Sequence, residues 1–150
     1  MTDASSTGGT AAPGRRANIA LWALQIPTAL FFALASALPK LIAHPSAVEG
    51  FEAMGTGAWF MYLIGVLELA GAVALLIPIL SGLSALAFIG LMIGAFITQV
   101  VMFDGQNAAT PIIIMVVMAV IAWGRRGRTA QLAERVSAVL RAPGHRARSA

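Results

Sequence analysis

The sequence predicts an all-α fold, an integral membrane four-helix bundle. Of its 150 residues 59% are hydrophobic and only 11% are charged, a balance too apolar for an ordinary soluble domain. A membrane-spanning helix needs about 20 predominantly apolar residues, because each residue adds about 1.5 Å along the helix axis. Four apolar segments come close to that length: residues 18–38, 59–80, 83–103 and 108–123.

The chain divides into three parts by composition. Residues 1–17 are small, polar and rich in glycine and are predicted to be a disordered cytoplasmic tail. Residues 18–124 form the four-helix membrane domain, and residues 125–150 form a basic cytoplasmic tail. An alternative at the N-terminus is a cleaved secretory signal, which the length of the first apolar segment disfavours.

The basic C-terminal tail contains a short amphipathic pattern. In residues 129–141 the apolar side chains fall on one helical face, with arginines beside it. This pattern favours an interfacial helix that lies on the membrane surface, and a solvated tail is the alternative. The apolar side chains are Leu132, Val136, Val139 and Leu140.

Charge placement predicts the orientation of the chain. Nine of the ten basic residues lie outside the apolar region, and Lys40 is the exception. The positive-inside rule then places both termini in the cytoplasm and predicts a multi-pass protein of the plasma membrane. The arginine-rich tail is expected to attract anionic lipid headgroups. No nucleic-acid-binding motif accompanies the arginines, so nucleic acid is not an expected partner.

Glu68 is the first candidate functional residue, because it is the one charged residue within the second apolar segment. A carboxylate at that depth is costly in lipid and normally faces the protein interior or a water-filled cavity. Gly65 and Gly71 lie about one turn away on either side, and small residues on a membrane helix predict close packing against another helix. The alternative to a functional role is a structural hydrogen bond from a carboxyl that burial keeps protonated.

The first and third segments carry further polar and small residues. Gln25, Thr28, Ser36 and Lys40 are spaced to share one face of the first helix. The third segment contains Gly90 and Gly94 in a GxxxG pattern, which predicts helix packing. Thr98 continues the face of these glycines, and Gln99 follows it.

Depth along the helices predicts how the polar groups meet. Glu68 lies nine residues inside its segment, or about 13 Å below the boundary, whereas Lys40 lies at the end of its own helix. We therefore expect a water-mediated pocket holding Lys40, Glu68, Thr98 and Gln99 rather than a direct bridge between Lys40 and Glu68. The first connection is expected to cover this pocket with its polar and aromatic side chains, which are His44, Glu49, Phe51, Glu52 and Trp59.

Missing residue types limit the chemistry. The chain has no cysteine, and its two histidines, His44 and His145, lie outside the apolar segments. Thiolate metal sites and haem held by paired intramembrane histidines are therefore excluded within this chain. We expect no catalytic residue, no metal site and no cofactor held covalently or by conventional ligands, and no enzyme activity of the chain on its own. A diffusible quinone remains compatible with the sequence.

Three segments resemble the DoxX-like family of small bacterial membrane proteins. They are Ala37-Leu38-Pro39-Lys40-Leu41, the Gly-x-x-Glu-x-x-Gly element from Gly65 to Gly71, and Gly90-Leu91-Met92-Ile93-Gly94-Ala95. The resemblance covers roughly residues 20 to 124 and implies a four-helix membrane domain with Lys40 and Glu68 as pocket residues. Many relatives carry histidine where this chain has Gln99, and an amide cannot titrate.

The resemblance implies a function only in broad terms, because the family takes its name from a subunit of a thiosulfate:quinone oxidoreductase. The first hypothesis is an accessory subunit or assembly partner of a membrane complex, with a quinone-linked redox partner or a second copy of this chain bound to it. The second hypothesis is a small transporter or proton pathway that uses Glu68. The scarcity of other ionisable residues in the spans disfavours a proton chain.

Overall fold

The computed structural model describes residues 14–141, and within them it contains helices and no strand. Within this part of the chain, four helices are long and apolar enough to cross a membrane, so the predicted all-α membrane bundle is confirmed. We call them the first span (Arg15–Leu41), second span (Gly57–Leu76), third span (Ser81–Met102) and fourth span (Ala109–Arg141). Residues 1–13 of the predicted N-terminal tail and residues 142–150 of the predicted C-terminal tail lie outside the described part of the chain. The first span begins at Arg15, so residues 15–17 of the predicted disordered tail are helical.

A short helix, Pro45–Ala53, joins the first and second spans and covers one end of the bundle. We call it the roof helix and use "roof end" and "tail end" for the two ends of the bundle. Phe51 of the roof helix packs against Phe60 of the second span, with ring centroids 5.9 Å apart. Gly55 and Gly57 in the connecting turn have φ of +68° and +77°, a conformation that glycine adopts without steric cost.

The first span changes its helical geometry in its roof half. Arg15–Leu30 is α-helical, Phe31–Ala37 is a π-helix, and Leu38–Leu41 is α-helical again. Pro39 follows the π-helix, and a proline ring cannot fit against the carbonyl four residues before it in a regular α-helix. Local widening of the helix relieves this conflict, and such π-helical segments often occur at functional sites.

The fourth span differs from the predicted division at residue 124. The helix continues without a break from Ala109 to Arg141, over 33 residues, so the predicted amphipathic helix at residues 129–141 is its direct extension. Residues such as Gln131, Leu132 and Glu134 have high helix propensity and propagate the helix past the apolar segment. The second span, by contrast, ends at Leu76, because Ile77 precedes Pro78 and is extended.

The spans pack in a ring in chain order. The first span contacts the second, the second contacts the third, and the third contacts the fourth along much of its length. Among the described residues, the backbones of the first and fourth spans come within 8 Å of each other only in the Arg15–Leu30 part of the first span. Phe32 and Phe88 fill the centre of the ring from opposite spans, with centroids 4.1 Å apart.

The buried core continues from the side chains of Phe32 and Phe88 toward the tail end. Large apolar side chains cover the outside of the bundle. Leu34, Val73, Val101 and Ile113 are each more than half exposed. In water such a surface would be unfavourable, and in a bilayer it contacts lipid. The outward face of the spans therefore agrees with the membrane assignment.

Candidate functional site

Lys40 and Glu68 form an ion pair in the interior of the bundle. Lys40 Nζ lies 2.8 Å from Glu68 Oε2, and the two side chains are 16% and 5% exposed. Lys40 Nζ also donates to the Ser36 carbonyl oxygen at 2.9 Å and to Ser36 Oγ at 3.0 Å. An ammonium has three N–H donors, so these contacts use all of them. The pair joins the first span to the second.

The direct contact corrects the expectation that water would separate Lys40 from Glu68. A Cβ placed on Gly65 would lie 3.0 Å from Lys40 Cβ and 3.1 Å from Leu41 Cδ2, so the end of the first span stands level with Gly65. The second span begins at Gly57, about 12 Å farther toward the roof end. Lys40 therefore starts well inside the bundle, and its side chain extends one turn down to Glu68.

A cavity of ≈ 770 Å³ lies in the roof half of the bundle, beside the ion pair. Its lining includes the four residues predicted to share a pocket, which are Lys40, Glu68, Thr98 and Gln99. Its remaining lining is largely apolar and aromatic, from all four spans and the roof helix, and includes Phe31, Phe32, Phe51, Phe60, Met92 and Ile114. A volume of this size is typical of small-molecule sites, which are about 300–1,000 Å³.

The roof helix covers the cavity with its small and apolar face. Ser46, Ala47, Gly50 and Phe51 of this helix line the cavity, and so does Met54 directly after it. The expectation that the polar side chains and Trp59 of this connection would also face it is wrong for the described residues, because His44, Glu49, Glu52 and Trp59 are not part of the lining. All four residues are exposed instead. For His44, Glu49 and Glu52 this avoids the cost of placing a polar group against an apolar wall.

Gln99 and Thr98 stand on the cavity wall formed by the third span. The Thr98 hydroxyl donates to the Gly94 carbonyl oxygen at 3.0 Å. Gln99 Oε1 is buried, and it accepts no hydrogen bond from the described residues. A buried acceptor without a donor costs about 1–3 kcal/mol, so this atom marks a place where the protein alone leaves a polar group unsatisfied.

The four glycines predicted to pack divide into two pairs. Gly65 lies against the end of the first span, and Gly71 lies against the Phe88 ring, 2.8 Å from a Cβ placed there. A Cβ on Gly90 or Gly94 would have nothing within 4 Å. The GxxxG prediction of helix packing is therefore wrong within the described chain. Gly90 and Gly94 line the cavity instead, and their missing side chains enlarge it.

A second polar cluster, at the tail end, joins the first span to the fourth. Arg125 is fully buried, and its Nε and Nη2 donate to Gln25 Oε1 at 2.9 and 2.6 Å. Its Nη1 donates to Asn18 Oδ1 at 2.8 Å, and its guanidinium lies 5.5 Å from the centroid of the Trp22 ring. Gln25 Nε2 in turn donates to the Leu75 carbonyl oxygen at 2.7 Å.

The sequence patterns do not predict this cluster, because the positive-inside rule uses Arg125 only as a topological charge and helix periodicity places Gln25 on the same stripe as Lys40. Gln25 and Lys40 are 15 residues apart, which corresponds to about 22 Å along a helix. That distance alone indicates that Gln25 belongs to the opposite end of the bundle. Thr28 is not part of either cluster, because its hydroxyl donates to the Leu24 carbonyl oxygen.

Within residues 14–141, no three His, Asp or Glu side chains are grouped so that they could hold a metal ion. No curated protein and no solved structure matches the chain significantly. The model of the DoxX-like family matches residues 23–122, a stretch that covers more than half of the chain and includes Lys40, Glu68, Thr98 and Gln99. The chain therefore belongs to the DoxX-like family.

Proposed function

We propose that this protein is an accessory subunit or assembly partner of a membrane complex, and that its roof-end cavity binds a small amphipathic molecule such as a quinone. The observation that supports this proposal is the cavity of ≈ 770 Å³ with an apolar lining and a few polar groups. Binding sites for small molecules combine these features, because apolar contacts supply affinity and a few polar groups orient the ligand.

The proposed complex would supply any redox chemistry. The chain has no cysteine, and its only histidines are His44 and His145, so the spans lack the cysteine ligands of iron–sulfur clusters and the histidine ligands of haem. A membrane redox partner, or a second copy of this chain, is the expected protein partner. The bilayer and its anionic headgroups are the expected surroundings of the spans and the basic tail.

The alternative hypothesis of a transporter or proton pathway has less support. Phe32 and Phe88 fill the centre of the ring, and Arg125 and Gln25 join the first and fourth spans below them. Glu68 is paired directly with Lys40, whereas a proton relay needs a series of titratable groups. Proton flux into liposomes that Glu68→Gln abolishes would favour the transport hypothesis over ligand binding.

Purification in native lipid discs tests the proposal. We expect mass spectrometry to find a small amphipathic molecule and at least one partner protein with the wild-type chain. Gly94→Leu is the test variant, because its side chain would extend into the cavity from a position that has nothing within 4 Å of a Cβ. It should remove the small molecule without unfolding the protein.

Ala133→Leu provides the control for this substitution, because Ala133 is exposed and lies on the extension of the fourth span. It should leave the bound molecule in place. Equal retention of the molecule by wild type and Gly94→Leu would contradict binding in the cavity. Turnover by the isolated chain would replace the accessory role with an enzymatic one.

A further inference from the structure

We propose that the cavity selects an amphipathic molecule whose head donates hydrogen bonds through hydroxyl groups, and that this molecule enters from the bilayer between the first and fourth spans. This inference rests on the proposed function and specifies the chemistry of the ligand and its route. Among quinone-type molecules, it predicts a preference for the reduced, hydroxyl-bearing form.

The first argument concerns polar atoms of the cavity lining that lack a hydrogen-bond partner among the described residues. Gln99 Oε1 is buried and accepts no hydrogen bond from the described residues. Glu68 also lines the cavity, and its bond with Lys40 uses only Oε2. A carboxylate has about four acceptor positions and no donor. Gln99 Oε1 and the second carboxylate oxygen of Glu68 are therefore acceptors that a ligand with N–H or O–H groups can satisfy.

The second argument is that Lys40 has no donor left for a ligand. Its three N–H groups are directed at Ser36 O, Ser36 Oγ and Glu68 Oε2. A ligand with only carbonyl acceptors would have to break one of these contacts to bind the ammonium. A hydroxyl-bearing head can instead donate to Gln99 Oε1 and to Glu68 while the ion pair stays intact, which avoids the cost of disrupting a buried pair.

The third argument concerns the route of entry. The roof half of the first span, from Phe31 to Leu41, has no backbone contact within 8 Å of the third or fourth span among the described residues. At the tail end the first and fourth spans are joined by Arg125 and Gln25. The stretch of the ring in which the backbones of the first and fourth spans stand more than 8 Å apart lies beside the cavity, and we call it the gap. Phe31 and Ile114, one from each of these spans, both line the cavity there.

The position of Phe31 connects this gap to the lipid. Phe31 lines the cavity and is also 47% exposed, so its ring borders both the cavity and the outside of the bundle. Lipid contacts that outside surface in a membrane. A ligand can keep its apolar tail in the bilayer at this gap while its head occupies the cavity.

Binding measurements with the full chain in lipid discs test the selection of the head group. The probes are a short-chain benzoquinone, its quinol form kept reduced under anaerobic conditions, and a short-chain diacylglycerol as a hydroxyl-bearing lipid without redox chemistry. We expect the quinol to bind at least tenfold more tightly than the quinone. Gln99→Leu should weaken quinol binding about tenfold and change quinone binding less than twofold.

Gln131→Leu is the matched control, because Gln131 is exposed on the extension of the fourth span, and it should leave all affinities unchanged. Equal or tighter binding of the quinone would overturn the donor-head inference while leaving the proposed quinone function standing. Binding of the diacylglycerol alone would support the donor-head inference and remove the quinone from the proposed function. Binding of none of the three probes would overturn both.

Crosslinking tests the route. The chain has no cysteine, so Phe31→Cys/Ile114→Cys can be joined by a bifunctional thiol reagent that closes the gap. The association rate of the tightest probe should fall at least tenfold after crosslinking and remain unchanged in the same variant without the reagent. An unchanged rate after complete crosslinking would overturn entry between these two spans.

Discussion

Lys40 contacts Glu68 directly, although the two residues are 28 positions apart and each belongs to a separate span. Gly65 makes the contact possible, because its missing side chain lets Lys40 Cβ and Leu41 approach the second span. The pair borders the cavity, so the same two residues stabilise the contact between the spans and form one polar side of the candidate ligand site.

The ion pair predicts strong coupling between its two members. Lys40→Met and Glu68→Gln should each lower the free energy of unfolding by about 3–5 kcal/mol, because each leaves a buried group without its partner. The double variant should lose less than the sum of the two single losses. Denaturation in mixed detergent micelles, followed by tryptophan fluorescence, measures these differences.

The exposed carboxylate of Glu134 provides the control for this cycle. Glu134→Gln should change stability by less than the experimental error, since a surface substitution removes no buried pair. Additive effects of the two single variants would mean that Lys40 and Glu68 do not interact in the folded protein.

The glycines of the second and third spans predict opposite effects of the same substitution. Gly71→Ala should destabilise the protein by about 1–3 kcal/mol, because its Cβ would lie 2.8 Å from the Phe88 ring. Gly90→Ala should stabilise it by about 0.5–1 kcal/mol, because alanine favours a helix over glycine and nothing obstructs the added methyl group. Thermal unfolding of both variants checks the pair, and a loss for Gly90→Ala would show that another molecule packs there.

The stability of the tail end is predicted to depend on the buried side chain of Arg125. Arg125→Met should destabilise the bundle, because Gln25 Oε1 and Asn18 Oδ1 would lose their donors, at about 1–3 kcal/mol for each unsatisfied group. Arg135→Met, at an exposed position of the same helix, is the control and should have little effect. Equal stability of the two variants would remove the structural role assigned to Arg125.

The proposed orientation predicts the outcome of site-specific labelling. Because the chain has no cysteine, single variants Glu49→Cys and Ala133→Cys report separately on the two ends. An impermeant thiol reagent added to intact cells should label Glu49→Cys in the roof helix and leave Ala133→Cys unlabelled. The reverse pattern would place both termini outside the cytoplasm and contradict the positive-inside assignment.

The membrane class and the pocket residues could be predicted from the sequence because they depend on local properties. Four apolar segments of near-spanning length determine the number of spans, since lipid allows only structures that satisfy their own backbone hydrogen bonds. The burial of Glu68 follows from the cost of a carboxylate in lipid. The shared cavity of Lys40, Glu68, Thr98 and Gln99 was also expected, because helix length placed these residues in the same half of the membrane.

Other features of the site could not be predicted because they depend on how the helices stand relative to one another. The GxxxG pattern of Gly90 and Gly94 is the same whether the glycines face a helix or a cavity. Only the arrangement of the spans shows that these glycines line the cavity. The positive-inside rule uses Arg125 as a topological charge, and the sequence alone does not show that Gln25 and Asn18 satisfy its donors.

By itself, then, the sequence determined the all-helical membrane class, the four spans and the polar residues that a bilayer forces inward. Those properties follow from composition and helix periodicity within single segments. Only the tertiary structure decided that Lys40 reaches Glu68 without water, that Gln99 is left with an unpaired acceptor, and that the first and fourth spans separate beside the cavity. Each of these depends on the relative height and spacing of different helices, which the packing of side chains such as Phe32 and Phe88 establishes.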